Sequence, residues 1–316
     1  MDLSVRYLGL KLQHPLMLGA SPLVNDLDKI RQIEDAGASA IVMHSLFEEQ
    51  IADGGSNAAI RQSDFVRGPD EYLERVRSLK EAVAIPVIAS LNGVSSGSWL
   101  EYARLIEQAG ADALELNVYR IASTPADGAR AVETRTVQML ESVKCSSRLP
   151  VSLKLSPFYT SLSHFTQRLF DAGADGVVVF NRFYQPDIDL ERLEVVHQLE
   201  LSTSSELLLR LRWLAVLSAQ TERSLGISGG VHSAPDALKA ILAGAHGVQL
   251  VSEIFKRGPR RFSEILGLMT RWLEAHGHDS FAQIRGKMNL SHSPDPEAYE
   301  RSAYLHILNA CSRASA

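Results

Sequence analysis

A lysine inside an apolar run is the first residue of this chain that invites chemistry. Lys154 stands in Ser152-Leu153-Lys154-Leu155, in register with residues of buried-strand character. A charge there is costly unless a dipole or an anion meets it, so the ammonium points into a mouth or toward a bound anion. The second candidate is Ser228-Gly229-Gly230-Val231, followed by Ser233-Ala234-Pro235-Asp236 opening a helix. A glycine pair before a helix N-terminus lets backbone N–H groups approach a phosphate closely. The third is a series of small or hydrogen-bonding residues just past successive apolar runs: Ala20-Ser21, His44-Ser45, Ser90-Leu91-Asn92, Asn117, Asn181 and Ser252. Together they describe a polar rim that carries one cation and one anion cradle.

The elements behind this rim repeat. Ala-Gly-Ala occurs at 36–38, 109–111, 172–174 and 243–245, each time at the end of an amphipathic stretch. Glycine there suits a helix C-terminus, and a short apolar run follows, at 41–43, 113–116, 177–180 and 248–251. Four further runs lie between these, at 15–18, 86–89, 150–153 and 225–227, and three of them open on proline. Proline is tolerated at the first residue of a strand. Strands alternating with helices in this number read as a (β/α)8 TIM barrel. In such a barrel chemistry sits at the C-terminal strand ends, where every rim residue falls, and phosphate binds after strands seven and eight.

Composition narrows the class. The chain has 316 residues, 45% of them hydrophobic, and a formal net charge of -5, with no basic footprint for nucleic acid. No apolar stretch approaches the roughly 20 residues of a membrane span, and Met1-Asp2-Leu3-Ser4-Val5-Arg6 carries no export pattern, so a cytoplasmic protein is expected. Cys145 and Cys311 read as free thiols without metal spacing, and no histidine pattern indicates a metal.

Residues 1–275 read as the barrel and 276–316 as a C-terminal helical extension, whose last helix, Glu297 through Leu308, docks on the barrel or on a second subunit. Three long connections, 45–69 with its Asp53-Gly54-Gly55-Ser56-Asn57, 118–128 and 181–205, leave the face that carries the rim and are expected to cover it. Ser202-Thr203-Ser204-Ser205 is expected to cap a helix starting at Glu206.

With these positions in view, the chain resembles the class 1 dihydroorotate dehydrogenases and the related barrel of dihydropyrimidine dehydrogenase, from about Leu3 to about Arg271. The matching segments are Leu8 to Leu18, Glu115-Leu116-Asn117, Leu153-Lys154-Leu155-Ser156-Pro157, Ile227-Ser228-Gly229-Gly230-Val231, and Gln249 to Ser252 with Phe255-Lys256-Arg257-Gly258-Pro259. The resemblance implies an N-terminal β-hairpin closing the barrel bottom and one FMN across the strand ends. By position, Ala20 and Ser21 would lie near the flavin ring and Ser45 near the ring or ribityl chain. Asn92 and Asn117 would donate to flavin or substrate. Lys154 would face the ring's N1–C2=O edge and stabilise negative charge, as a lysine can in a dry site. Gly229, Gly230 and Ser252 would hold the phosphate, and Asn181 would bind substrate. A small-molecule substrate, a separate electron acceptor, a homodimer and a place in pyrimidine metabolism are the further expectations.

The departures from the family pattern matter equally. The class 1 cysteine base, three residues past the motif asparagine, is Arg120 here, and serine, the class 2 base, is absent from that position too. Arginine cannot act as a general base. His44 replaces a lysine at the end of strand two and is carried as a substrate-binding residue. The loop beyond it is rewritten around Arg67-Gly68-Pro69, and Val251 replaces a glycine near the phosphate. Tyr119, with His44, Ser123 and Thr124, is a nearby proton-transfer candidate, and Arg120 is expected to bind an anionic substrate group. Three readings stay open: an FMN oxidoreductase acting on a C–C single or double bond of another small anion, a dihydroorotate dehydrogenase with a relocated base, and a non-catalytic FMN-binding or electron-relay subunit. No cysteine cluster for an iron–sulfur centre exists in the chain, so such a centre would belong to a partner.

Overall fold

The computed structural model describes residues 1–52, 68–93, 97, 101–182, 185–196, 199–300, 304 and 308. Asp53 to Asn57 and Arg67, singled out above, lie outside them.

The chain opens with an antiparallel hairpin, β1 (Val5–Tyr7) and β2 (Leu10–Leu12), turning through Leu8 and Gly9 at φ 52 and 77. Positive φ at both central residues matches the right-handed twist of a hairpin. Eight parallel strands then close a barrel: β3 (Leu16–Leu18), β4 (Ile41–Phe47), β5 (Val87–Asn92), β6 (Ala113–Asn117), β7 (Val151–Leu155), β8 (Gly176–Val179), β11 (Ser224–Ser228) and β12 (Gly247–Leu250). A small pair, β9 (Asp187–Asp189) and β10 (Glu194–Val196), stands outside it. The expected (β/α)8 barrel is therefore the fold. The four Ala-Gly-Ala glycines share φ between 95 and 121, the left-handed conformation that ends the preceding helices.

The hairpin plugs the barrel bottom. A Cβ on Gly226 would lie 2.8 Å from the Tyr7 hydroxyl, one on Gly247 3.1 Å from the Tyr7 ring, and one on Gly176 2.8 Å from Leu8. Three strands thus carry glycine where the plug enters. Tyr7 of the hairpin packs in the lumen with Met17, Val42 and Ile88.

The helices that matter for the site are α1 (Leu27–Asp35), α2 (Glu48–Ala52), α3 (Pro69–Ala82), α4 (Glu101–Gln108), α5 (Ala129–Ser146), α6 (Leu162–Asp171), α7 (Leu207–Ser218), α8 (Ala234–Ala243), α9 (Ser252–Arg257) and α10 (Arg261–Ala275). Ser233 caps α8 by accepting from the Asp236 N–H, as a serine before a first-turn proline and aspartate should. The Ser202–Ser205 cap of α7 does not form. Thr203 and Ser205 bond each other at 2.7 Å, and Ser204 donates instead to Asp236, 2.9 Å away.

After α10 the chain returns along the barrel. The Met288 N–H donates to the Leu242 carbonyl, the Leu290 N–H donates to the Ala215 carbonyl, and Phe281 and Ile284 are buried. The helix expected over Glu297 to Leu308 lies partly outside the described residues, and Pro296–Tyr299 within them is a 3-10 turn. None of the described helices is long and apolar enough to cross a membrane.

Candidate active site

Below the mouth, three side chains form one buried polar cluster. Lys154 Nζ lies 3.3 Å from Glu115 Oε1 and 3.2 Å from Gln249 Oε1, and Gln249 Nε2 donates to Glu115 Oε2 at 2.6 Å. The carboxylate, amide and ammonium stand on β6, β12 and β7, and each is at most 5% exposed. Gly19 passes directly over Gln249, where a Cβ would meet Val251 at 2.7 Å and Gln249 at 3.0 Å. Lys154 thus looks into the barrel, as its register required. Its partners, Glu115 and Gln249, belong to the motifs noted in the sequence but carried no assigned role there. The Tyr7 hydroxyl approaches the same carboxylate from below, and burial raises its pKa.

Above this cluster a hydrogen-bonded row crosses the strand ends. Ser45 Oγ and Ser90 Oγ are 2.8 Å apart, Asn117 Nδ2 donates to Ser45 Oγ at 3.2 Å, and Asn181 Nδ2 donates to Asn117 Oδ1 at 2.8 Å. Three strands and the segment just past β8 therefore contribute one row of hydroxyl and amide groups. Asn92 ends β5 beside them and is buried, as is Ser21, while Ala20 is half-buried against the lumen cluster. Among the described residues, the Ser21 hydroxyl is buried with no hydrogen-bond partner.

His44 is not in this row. Strict alternation from the lumen residue Val42 would aim His44 inward, but the β4–β5 register shifts between Val42 and Ser45. One extra residue moves Ser45 onto the inward face. His44 instead packs edge-on against Tyr72 of α3, with ring centroids 5.7 Å apart. Burial, with Arg75 nearby, pushes its pKa down to about 4, so the ring is neutral at pH 7. His44 thus packs toward α3, and Ser45 takes the inward position.

Arg120 also turns aside. Val118, past the end of β6, is buried, and Arg120 Nη2 pairs with Asp127 Oδ1 at 2.9 Å. The same oxygen accepts from Arg135 of α5, also at 2.9 Å. Arg120 lines a small hollow with Gly93, Val132, Thr136 and Met139, away from the row described above. Tyr119 is half-buried beside it, whereas Ser123 and Thr124 are exposed.

The glycine loop after β11 has the expected shape. Gly229 and Gly230 sit at φ 87 and 80, where only glycine is unstrained. Their outer sides are covered by α7: a Cβ on Gly229 would meet the Arg210 guanidinium at 2.7 Å, and one on Gly230 the Leu207 backbone nitrogen at 2.5 Å. Arg210, which the sequence did not single out, is buried and donates to the carbonyls of Ser228 and Glu206. Ser252 opens α9 next to this loop, and its hydroxyl oxygen accepts the Ser202 N–H at 3.1 Å.

Between the β7 and β8 ends lies a cavity of about 730 Å³, lined among others by Pro157, Phe180, Asn181, Arg182, Glu206 and Arg210. Arg182 Nη2 is 3.3 Å from Glu206 Oε1. Among the described residues no cluster of histidine, cysteine, aspartate or glutamate could hold a metal ion.

The strand-end row, the buried lysine and the glycine loop all lie at the C-terminal ends of the barrel strands. A family model described as dihydroorotate dehydrogenase matches residues 66–273. The chain belongs to that family. Its members are flavoproteins, and the chain is an oxidoreductase acting on CH–CH groups. Among curated relatives, it is 27% identical to a putative dihydroorotate dehydrogenase A (fumarate) of Aeropyrum pernix, with 90% of this chain and 97% of the relative covered. It is 27% identical to the NAD-dependent dihydropyrimidine dehydrogenase subunit PreA of Escherichia coli K12, covering 96% of this chain and 81% of the relative. The catalytic subunit of dihydroorotate dehydrogenase B (NAD(+)) of Pyrococcus abyssi is also 27% identical, with 90% and 98% covered.

Proposed function

We propose that this chain is an FMN-dependent oxidoreductase acting on a C–C single or double bond of a small anionic substrate other than dihydroorotate. The observation that carries this reading is Lys154, a cation with 5% exposure held beneath a row of amides and hydroxyls at the barrel mouth. The residues present fit FMN. The Ser21 hydroxyl is a buried group awaiting a partner, the Gly229–Gly230 loop offers a backbone cradle, and the ammonium lies below. Ala20, Ser21, Ser45, Asn92, Asn117 and Lys154 would hold the isoalloxazine and ribityl portions. Gly229, Gly230 and Ser252 would hold the phosphate. When bound, FMN supplies two-electron hydride chemistry at the substrate carbon.

The protein's own residues do the rest. Lys154 places positive charge where negative charge collects, and Glu115 with Gln249 fixes its direction. Asn117 and Asn181, already bonded to each other, present amide groups for orienting a polar planar substrate. Arg182, next to Asn181, lines the cavity, whereas Arg120 lines a separate hollow, so Arg182 is the better candidate for an anionic substrate group. Tyr119 stays the candidate proton donor at its hydroxyl oxygen, a role suited to reduction of an unsaturated bond. A separate electron acceptor fits the relative named as a catalytic subunit, and a homodimer remains our expected assembly.

A second reading, dihydroorotate oxidation with a relocated base, draws on one observation: Arg120 pairs with Asp127 and leaves the strand-end row clear. The visible spectrum of the purified protein tests the cofactor, and a colourless, flavin-free protein would overturn it. Steady-state assays with dihydroorotate and several acceptors separate the two readings. Turnover at an ordinary enzymatic rate, roughly 10 s⁻¹, would establish the second.

A further inference from the structure

The connection that follows β8 is fastened to the glycine loop by its own side chains and backbone. Ser202, at its end, is only 3% exposed. All three of its polar groups are engaged. Its N–H donates to Ser252 Oγ at 3.1 Å, its carbonyl accepts from Lys256 Nζ at 2.9 Å, and its hydroxyl lies 3.0 Å from His232 Nε2. His232 is held in turn. Its Nδ1 is 3.1 Å from Glu253 Oε2, and Glu253 Oε1 accepts from Arg261 Nε at 2.6 Å. Asp236 Oδ2 gathers the hydroxyls of Ser204 and Ser233 together with the His232 N–H, all within 3.0 Å.

The segment is thus stitched to the glycine loop, to the start of α8 and to α9. Two of those elements carry Gly229, Gly230 and Ser252, the groups assigned above to the cofactor phosphate. Leu207 and Arg210, a few residues further on, close over the outer side of the same glycines. A geometry of this density is more than a loop needs merely to lie on a surface.

We propose that Ser202, His232 and Lys256 form a latch across the phosphate end of the cofactor site and set the rate of cofactor exchange. This rests on the FMN reading. The contacts named are all between protein groups, so opening the latch imposes the same barrier on uptake as on release. A latch therefore has a kinetic signature that a phosphate ligand lacks. Weakening it raises the association and dissociation rates together and leaves the equilibrium constant nearly fixed. Loss of a ligand raises the dissociation rate alone.

The test uses the full chain, with FMN as the probe. Apoprotein of the wild type, Ser202→Ala, Lys256→Met and the double variant is mixed with FMN, and quenching of flavin fluorescence gives the association rate. Release is followed by adding a flavin-scavenging apoprotein. Each single variant should speed both rates about tenfold, the worth of one well-made hydrogen bond, with Kd changed by less than about twofold. Ser205→Ala, which removes only the bond to Thr203, should change neither. Lys256 is exposed, so its variant keeps the test available should Ser202→Ala fail to fold. Unchanged rates in Lys256→Met and Ser202→Ala would overturn the latch while leaving FMN binding intact. A faster release with unchanged association would overturn it in favour of a direct phosphate contact. A wild type that takes up no FMN would overturn both this inference and the reading beneath it.

Discussion

Replacing Lys154 by methionine removes the cation from the buried cluster and leaves its carboxylate behind. The ammonium and Glu115 are 3.3 Å apart, with side-chain exposures of 6% and 1%. At an effective dielectric constant of about 20 their attraction is about 5 kcal/mol, which offsets the desolvation of both groups. Breaking such a pair from one side typically costs about 3–5 kcal/mol, because the remaining charge is stranded. Lys154→Met apoprotein should lose that much stability at pH 7 in chemical denaturation. Glu115→Gln combined with Lys154→Met removes both charges and should recover most of the deficit, with Gln249 still able to bond the new amide. A single variant that loses less than about 1 kcal/mol, or a double variant no more stable than the single, would refute the assignment of Lys154 and Glu115 as a mutually compensating pair.

In the loaded protein, Lys154→Met should lower the flavin's reduction potential, read by dye equilibration, and an unchanged potential would remove the lysine from the flavin's electrostatics. Gly230→Ala should lose flavin and stability more severely than Gly229→Ala: its Cβ meets the Leu207 backbone at 2.5 Å, whereas the other meets a side-chain end, that of Arg210, rather than backbone. Flavin content and denaturant midpoint give the comparison. Arg182→Ala should raise KM about tenfold or more for an anionic substrate while Arg120→Ala leaves it within about threefold, and the reverse order would restore Arg120 to the substrate. Burial holds His14 and His44 at pKa values of about 4 and His246 at about 3, below the ordinary 6.5. The unfolded chain then binds the protons first, so stability should fall as pH drops from about 6.5 toward 4, by about 2 kcal/mol per histidine near pH 5. Leu or Phe replacement at His246 should flatten that part of the pH–stability curve if its shape is correctly explained.

The barrel was legible because its signal is local. An Ala-Gly-Ala at a helix end and an apolar run a few residues later repeat often enough that chance similarity cannot carry them, and the glycines indeed take φ between 95 and 121. The strand-end rule then located Ser45, Asn117, Lys154 and Asn181 from chain position alone; three of them take part in the mouth's hydrogen bonds and Lys154 in the buried cluster below it. What stayed hidden depends on single insertions or on distant partners. One extra residue in β4 exchanges the faces of His44 and Ser45, and no residue type in Val42-Met43-His44-Ser45 announces it. Arg120 could be placed by spacing past Asn117, but the side chain's direction follows from Asp127, in a loop without periodicity. The contacts around Ser202 span 30 to 54 residues, and serine beside serine and threonine reads as a helix cap when sequence neighbours alone are considered. Here the hydroxyl of Ser202 found a histidine on the glycine loop and the hydroxyl of Ser204 found Asp236, so the predicted cap gave way to long-range partners. Periodic pattern thus places backbone, whereas the side chains that adapt one barrel to one substrate are fixed by tertiary partners. Arg120 and His44, two of the positions where the resemblance marked a departure from the family pattern, are both held by neighbours outside the strand-end row. On the reading proposed above, substrate preference comes from groups that face the cavity, and Arg182 and Glu206 are charged groups placed there.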